Sequence, residues 1–304
     1  MHRENKSSVQ LIHLLGFKID PTFKFLIMLL ILIVYIFSLA GNLMITVLVH
    51  LSRNLKHPMF FFLSHLSLCD IILSTNIVPN MLHVIQCEGV TIPFAACMTQ
   101  FLFFGTAVAS ECLLLTVMSY DRYLAICNPL RYTSIMNSQL RFWLVILCWF
   151  SSFIVSFVAV IMMNTLEFCG QSTIDNFFCD FWPIIKLSCS DTSALEMEQT
   201  LIGIPVTLIP VGFICVTYIH IFITILRMSS SSGRQKAFST CSSHLTVVCI
   251  FFGTMVANYV VPSSGNLLNT NKLVSLFYTV VTPLLNPIVY SLRNLEIQSH
   301  PLLF

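Results

Sequence analysis

An acid and a base stand side by side in the stretch TVMSYDRYLAIC, residues 116–127, where a long apolar run ends at Asp121 and Arg122. Two further carboxylates, Asp70 and Glu111, lie inside apolar runs of a chain in which only 9% of residues are charged. Ionisable groups in apolar surroundings are costly, and they usually mark functional sites. These four residues are therefore the first candidates for function.

The composition decides what kind of element must position them. The 304 residues are 56% hydrophobic, and the mean hydropathy is +0.86. Soluble domains carry about 25% charged residues, and a compact globule of this composition would expose mostly apolar surface. The chain is therefore predicted to be an integral membrane protein. Its net charge of +2 does not indicate a nucleic-acid partner.

Apolar segments long enough to cross about 30 Å of hydrocarbon predict an all-α bundle of seven transmembrane helices in a single domain, residues 25–292. A tail of residues 1–24 precedes it and a short tail of residues 293–304 follows it. No cleaved signal peptide is expected, because the N-terminus lacks an apolar core followed by a cleavage site. The predicted spans are 25–49, 58–84, 98–126, 141–163, 198–226, 237–261 and 272–292.

Lysine and arginine in the short loops predict the orientation. Beyond the first helix, one set of loops holds only Lys186 and Lys272, where Lys272 is the boundary residue of the seventh span and is counted with the loop before it. The richer set is predicted to be cytoplasmic, with the N-terminus extracellular and the C-terminus inside. That set contains Arg53, Lys56, Arg122, Arg131, Arg141, Arg227, Arg234, Lys236 and Arg293.

The predicted external segments contain groups that are modified outside the cell. Asn5 begins a glycosylation sequon, Asn-Lys-Ser, in the N-terminal tail. Cysteines in an oxidising compartment tend to form disulfides, and four are expected near this face: Cys97, Cys169, Cys179 and Cys189. Four cysteines allow three pairings, and their spacing does not choose among them.

Helix geometry relates the charged residues to one another. The 25 positions from Cys97 to Arg122 span roughly 37 Å, so one end reaches each interface. Glu111 and Arg122 share one face of the third helix. If Asp70 faces Glu111, the pair requires a shared proton or a cation such as sodium; alternatively, each carboxylate is bonded separately to Ser or Asn neighbours. Arg122 is either a switch or an arginine that extends to the interface.

Five motifs in register resemble the olfactory receptors, tetrapod-type (class II), a branch of the rhodopsin-like (class A) G-protein-coupled receptors. They are GN at residues 41–42, HPMFFFLSHLSLCD at 57–70, MSYDRYLAICNPLRY at 118–132, KAFSTCSSHLTVV at 236–248 and TPLLNPIVYSLRN at 282–294. DRY alone is shared by many receptors, whereas the full set is specific and covers most of the chain.

The resemblance implies roles for individual residues. It implies the disulfides Cys97–Cys179 and Cys169–Cys189, and it favours a sodium site at Asp70 and Glu111, with no other cofactor. It also implies a coupling switch made of Asp121, Arg122, Tyr123, Tyr218, His244, Asn286, Pro287 and Tyr290.

A ligand pocket is expected one to two turns toward the outside from Glu111. The lining is apolar, with two polar side chains among its members, as is usual for small-molecule sites. No lysine is expected within the seventh helix, which argues against an opsin-like Schiff base. The expected lining is Phe104, Gly105, Val108, Ala109, Ile202, Val206, Phe252, Met255, Tyr259, Leu276 and Thr279.

The resemblance implies a plasma-membrane odorant receptor rather than an enzyme, in cilia of olfactory sensory neurons. Its implied partners are a small hydrophobic odorant, a stimulatory or olfactory-type G protein that raises cyclic AMP, membrane lipid and trafficking accessory proteins. Alternatives are a receptor for an endogenous lipid or metabolite outside the nose, and a decayed receptor. The tail departs from the family pattern at Glu296 and Pro301, and Phe252 stands where the family usually has tyrosine.

Overall fold

The computed structural model describes residues 11–52, 57–168, 172–260 and 268–293, apart from the side chains of residues 236, 258–260, 268–271 and 291–293. Within that part of the chain, seven helices are long and apolar enough to cross a membrane. The predicted all-α bundle of seven transmembrane helices is therefore confirmed. Helices one to four span Pro21–Leu51, Pro58–Cys87, Phe94–Cys127 and Ser138–Asn164.

The last three spanning helices are less regular. Helix five, Ser193–Arg227, contains a π turn at Gln199–Gly203. Helix six is Ser231–Val260. Helix seven comprises Leu268–Leu276, a π turn at Phe277–Val281, and Thr282–Arg293. Short helices at Pro129–Ile135 and Phe181–Ile185 lie in the loops.

Local sequence determines where several helices begin. The side chain of Asp20 accepts a hydrogen bond from the Thr22 N–H at 2.8 Å, and Asn137 accepts one from Leu140 at 2.8 Å. These side chains satisfy amide groups that have no partner within the helix. Pro21 and Pro58 occupy first-turn positions, where a missing N–H costs nothing. Helix one consequently includes the last residues of the predicted tail 1–24.

Helix three is at the centre of the bundle. It packs against helices two, four, five and six, while helix one packs against helices two and seven. Most side chains on the outside of the bundle are apolar, such as Phe25 at 77% exposure and Phe150 at 62%. Such an outer surface suits surrounding lipid, so the polar side chains that matter for function lie between the helices.

A small sheet covers one end of the bundle. Strand β1, Leu11–Leu14, pairs antiparallel with β2, Val90–Pro93, and parallel with β3, Thr173–Ile174. The Cys97–Cys179 disulfide lies at the same end, with the two Cα atoms 5.5 Å apart. We call this the disulfide end, and the opposite one the Arg122 end. The N-terminal segment thus folds back onto the bundle rather than extending away from it.

Close packing between helices one and seven depends on Gly41. A Cβ atom at this position would lie 3.0 Å from both Cβ and Cγ of Pro287. We expect Gly41→Ala to lower the unfolding free energy by about 1–3 kcal/mol, because overpacking separates the helices. Thermal denaturation of the purified protein in nanodiscs measures the change.

The matched control is Gly212→Ala on helix five, where an added Cβ meets nothing within 4 Å. Alanine is the better helix former, so this variant should retain or raise the melting temperature. Equal shifts in the two variants would contradict the proposed packing role of Gly41.

Candidate functional site

Two buried carboxylates meet at a single amide in the middle of the bundle. Asp70 is 0% exposed and Glu111 is 1% exposed. The Asn286 amide donates to both Asp70 oxygens, at 3.1 and 2.9 Å, and lies 3.4 Å from Glu111 Oε1. Helices two, three and seven are therefore joined through one side chain, which the resemblance assigned to the coupling switch.

The second feature of this position is its uncompensated negative charge among the residues that the structure describes. In the described ranges, no lysine or arginine forms a salt bridge with Asp70 or Glu111. Two carboxylates around a neutral donor repel each other when both are charged. Either a proton neutralises one of them, or a cation lies between them. Carboxylate and amide oxygens are suitable ligands for a hard cation such as sodium. No group of three or more His, Cys, Asp or Glu side chains suited to a metal occurs among the residues described.

At the Arg122 end, Asp121 holds two neighbours in place. Its Oδ2 lies 3.4 Å from Nη2 of Arg122, and its Oδ1 accepts a hydrogen bond from the Tyr132 hydroxyl at 2.8 Å. Nη2 of Arg122 also contacts the sulfur of Met59 on helix two. Asp121 is fully buried, so the acid restrains an arginine that the sequence alone could have left free at the interface.

Tyr132, in the loop helix that follows helix three, did not emerge as a site residue from the sequence. Burial, with a further contribution from the Asp121 carboxylate, raises the pKa of its phenol. The hydroxyl therefore remains a proton donor near neutral pH. Its position in the MSYDRYLAICNPLRY motif was the available signal, but only the fold brings it back to Asp121.

Helices five and six are connected beside Arg122. The Tyr218 hydroxyl lies 2.6 Å from Nδ1 of His244, and the two rings stack with centroids 5.7 Å apart. His244 is 0% exposed and Tyr290 is 2% exposed. Tyr123 faces helix five, with its ring 6.1 Å from that of His220. The expected switch residues thus form two groups, one at Asn286 and one at the Arg122 end.

The expected ligand region is rich in aromatic rings. Phe104, 8% exposed, has its ring 5.2 Å from Phe178 and 6.4 Å from Tyr278. Phe251 links Tyr278 to Phe252, at 5.9 and 5.1 Å. Phe178 and Tyr278 were missed by the sequence analysis, although the neighbouring Cys179 could have placed Phe178 against helix three.

The other residues predicted to line the ligand pocket differ in burial and in the helix that they face. Met255 is 5% exposed and Thr279 is 0% exposed, and the Thr279 hydroxyl donates to the Ser275 carbonyl at 2.7 Å. Ile202 is 40% exposed. Gly105 faces helix four, because its Cβ would lie 2.8 Å from Oγ of Ser156. The side chain of Tyr259 lies outside the described residues, and the half-buried positions are Val108, Ala109, Val206 and Leu276.

The disulfide region contains a second set of anchors. The Cys179 N–H donates to Oε1 of Gln100 at 2.9 Å, next to the Cys97–Cys179 bond. Cys189 is also disulfide-bonded, whereas Cys169 lies outside the described residues, so the pairing Cys169–Cys189 stays a prediction. Asn5 and the tail beyond residue 293, including Glu296 and Pro301, lie outside them as well.

The expectation that helix seven contains no lysine is wrong. Helix seven begins at Leu268, so Lys272 lies in its first turns and not in a loop. Its side chain is only 6% exposed and forms an ion pair with Asp175. A second hydrogen bond reaches the Gly16 carbonyl at 2.8 Å. These partners compensate a buried cation that hydropathy assigned to the surface.

Seven spanning helices around a central third helix define the fold of the rhodopsin-like receptors. Squid rhodopsin superposes with a TM-score of 0.74, covering 94% of this chain and 83% of that chain at 18% identity. The profile described as "Olfactory receptor" matches residues 31–301. The chain belongs to the olfactory receptor family, whose members are multi-pass membrane proteins and not enzymes.

Relatives of known sequence match over nearly their whole length. Olfactory receptor 5P60 of Mus musculus is 44% identical over 301 residues, which are 98% of this chain and 93% of the mouse protein. Olfactory receptor 10A7 of Homo sapiens is also 44% identical, over 97% of this chain and 93% of the human protein. The resemblance predicted from the five motifs is thereby confirmed.

The role of Asn286 can be tested by removing its amide. We expect Asn286→Leu to lower the unfolding free energy by about 1–3 kcal/mol, since two buried carboxylates lose a shared donor. Adding Glu111→Gln should recover part of the loss, because it removes one charge. The melting temperature in nanodiscs measures both.

Asn164→Leu provides the control, since the Asn164 amide donates to the Val160 carbonyl of its own helix at 2.8 Å and joins no second helix in the described part of the chain. A double variant no more stable than Asn286→Leu alone would show that Asn286 does not act by relieving the carboxylate pair.

Proposed function

We propose that this protein is an odorant receptor of the plasma membrane that binds a small, mostly hydrophobic volatile molecule and activates a stimulatory or olfactory-type G protein. The observation that carries the proposal is the family match over residues 31–301. Membership of this family implies a small-molecule ligand and a G-protein partner. The volatile ligand, the type of G protein and the ciliary location are our inferences.

The proposed orientation places the disulfide end outside the cell. It rests on the excess of lysine and arginine in the loops of the Arg122 end, and on disulfides being stable in oxidising compartments. The ligand would then bind near the disulfide end, and the G protein would bind at the Arg122 end.

The buried aromatic rings support the proposed ligand class. Phe104, Tyr278 and Phe252 belong to one connected group of rings, which offers apolar contact and few charges. Such surroundings favour a molecule with a large apolar part and at most a few hydrogen-bonding groups. A ligand carried through air to the receptor has this chemistry.

The proposed coupling mechanism is a shift between two arrangements of the helices. Arg122 is restrained by Asp121 and Met59, and helices five and six are joined by Tyr218 and His244. In the active arrangement the inner end of helix six moves outward, and Arg122 packs against the C-terminal helix of the G-protein α subunit. A ligand favours this arrangement only through a higher affinity for it.

The coupling role predicts that Arg122→Ala abolishes signalling. The receptor is expressed with a trafficking accessory protein, and a panel of volatile odorants is screened for increased cyclic AMP. We expect responses of the unmodified receptor to disappear in Arg122→Ala, with at least a tenfold loss of potency or no response. Surface expression of both forms is measured by an N-terminal epitope, and an unchanged response in Arg122→Ala would reject the mechanism.

We also propose that the Asp70 and Glu111 carboxylates hold a sodium ion between them. The ion would balance the two carboxylates and so favour the inactive arrangement. Replacing choline chloride with sodium chloride at constant ionic strength should raise the melting temperature, because a ligand that binds only the folded state stabilises it.

Asp70→Asn should abolish this sodium effect, whereas Glu88→Gln, at an exposed carboxylate on the disulfide side, should preserve it. A melting temperature that does not depend on sodium in the unmodified receptor would favour the shared proton instead.

A further inference from the structure

A short segment crosses the opening of the bundle at the disulfide end. Residues 175–179, which we call the strap, run from helix seven to helix three. At one end Asp175 pairs with Lys272, and at the other Cys179 is bonded to Cys97. An extended chain of this length spans at most about 14 Å, so the strap has little slack between its anchors.

The middle of the strap is buried. Phe177 is 0% exposed, Phe178 is 1% exposed and Asn176 is 8% exposed. The ring of Phe178 lies 5.2 Å from that of Phe104, a residue of the expected ligand region. The strap therefore forms the cover of that region at the disulfide end.

The two anchors differ in kind. The helix-three anchor is a covalent bond, reinforced by the Cys179 N–H to Gln100 hydrogen bond at 2.9 Å. Gln100 and Asn76 in turn exchange two hydrogen bonds between helices three and two, at 2.8 and 3.1 Å. Within the described part of the chain, the helix-seven anchor is the side-chain contact between Asp175 and Lys272. Reversible opening is consequently easiest at Lys272.

Lys272 holds a second layer as well. Its ammonium donates to the Gly16 carbonyl at 2.8 Å, and the Gly16 N–H donates to the Asn176 carbonyl at 3.1 Å. The ring of Phe17 stacks on Phe177 with centroids 5.4 Å apart. One cation thus fastens both the strap and the N-terminal segment that lies over it.

The exposure of the partners favours opening at the carboxylate. The Lys272 side chain is 6% exposed and that of Asp175 is 40% exposed. Water can therefore solvate Asp175 as the pair separates, which reduces the cost of moving it away from the lysine. The Phe177 and Phe178 rings would follow, because they lie within the strap.

We propose that residues 175–179 form a gate over the ligand region, hinged at the Cys97–Cys179 disulfide and fastened by Lys272. Opening at helix seven admits small molecules from the aqueous side, and closure retains them. The fastening is independent of the ligand, whereas the identity of the molecule that passes rests on the proposed odorant function.

The fastening is tested without any ligand by hydrogen exchange of the purified receptor in nanodiscs. The Leu15 N–H, which donates to the Ile174 carbonyl at 3.0 Å, and the Gly16 N–H report on the layer above the strap. We expect Lys272→Met to speed their exchange at least tenfold. The Cys179 amide should change little, since its anchors on helix three remain.

Two further variants separate a fastening from a general loss of structure. Asp175→Asn removes only the more exposed charge and should give a smaller effect of the same pattern. The swap Lys272→Glu with Asp175→Lys should restore part of the protection. The control is Lys186→Met, which replaces an exposed lysine just after the short loop helix Phe181–Ile185. This variant should leave the exchange rates unchanged.

Passage through the gate is tested with a cysteine below it. Thr279→Cys places a thiol about 10 Å beyond Lys272 along helix seven, at a residue that is 0% exposed. Its labelling by the water-soluble reagent 2-(trimethylammonium)ethyl methanethiosulfonate is followed by peptide mass spectrometry. We expect Lys272→Met to increase the labelling rate at least tenfold, and Lys186→Met to leave it unchanged.

Equal labelling rates with and without Lys272 would overturn the gate. Faster exchange at Cys179 as well as at Gly16 would overturn the hinge, because the whole end would then open together. Failure of the cyclic AMP screen alone would affect the odorant function and not the gate, since neither measurement uses an odorant.

Discussion

Asn286 donates its one amide group to carboxylates from two other helices, and the position of helix seven depends on that contact. The hydrocarbon around the bundle offers no partner to a buried polar group, so each must be satisfied between the helices. Asp70 and Glu111 therefore draw helices two and three toward helix seven. The Asn42 amide adds a second tie, with its hydrogen bond to the Pro283 carbonyl at 2.9 Å.

The two ends of the bundle are held together by different kinds of contact. At the Arg122 end, side-chain contacts such as Asp121 with Arg122 and Tyr218 with His244 join neighbouring helices without covalent bonds. Such contacts can exchange when the helices move. At the disulfide end, the Cys97–Cys179 bond fixes the strap to helix three, whereas the Lys272 side is held by a non-covalent ion pair. A fixed end and a movable end suit a receptor that transmits binding at one side to a partner at the other.

Residue type and spacing predicted the helices well because a spanning segment is recognised by its own composition and length. The motifs likewise identified the family, since they lie in order along one chain. The same local reasoning failed at Lys272. A charged residue near the end of a span is assigned to a loop when its partners are unknown. Asp175 and the Gly16 carbonyl are distant in sequence, and their contacts with Lys272 compensate the cost of burying it.

The sequence by itself determined the seven spans, the membrane class, the family and the carboxylates inside the spans, because each depends on local composition or on ordered motifs. Tertiary structure decided which atoms meet: Tyr132 with Asp121, Asn286 with both carboxylates, and Phe178 with Phe104. It also turned Gly105 toward helix four. The rotation of each helix about its axis and the path of each loop depend on packing against the other elements, which no single segment encodes.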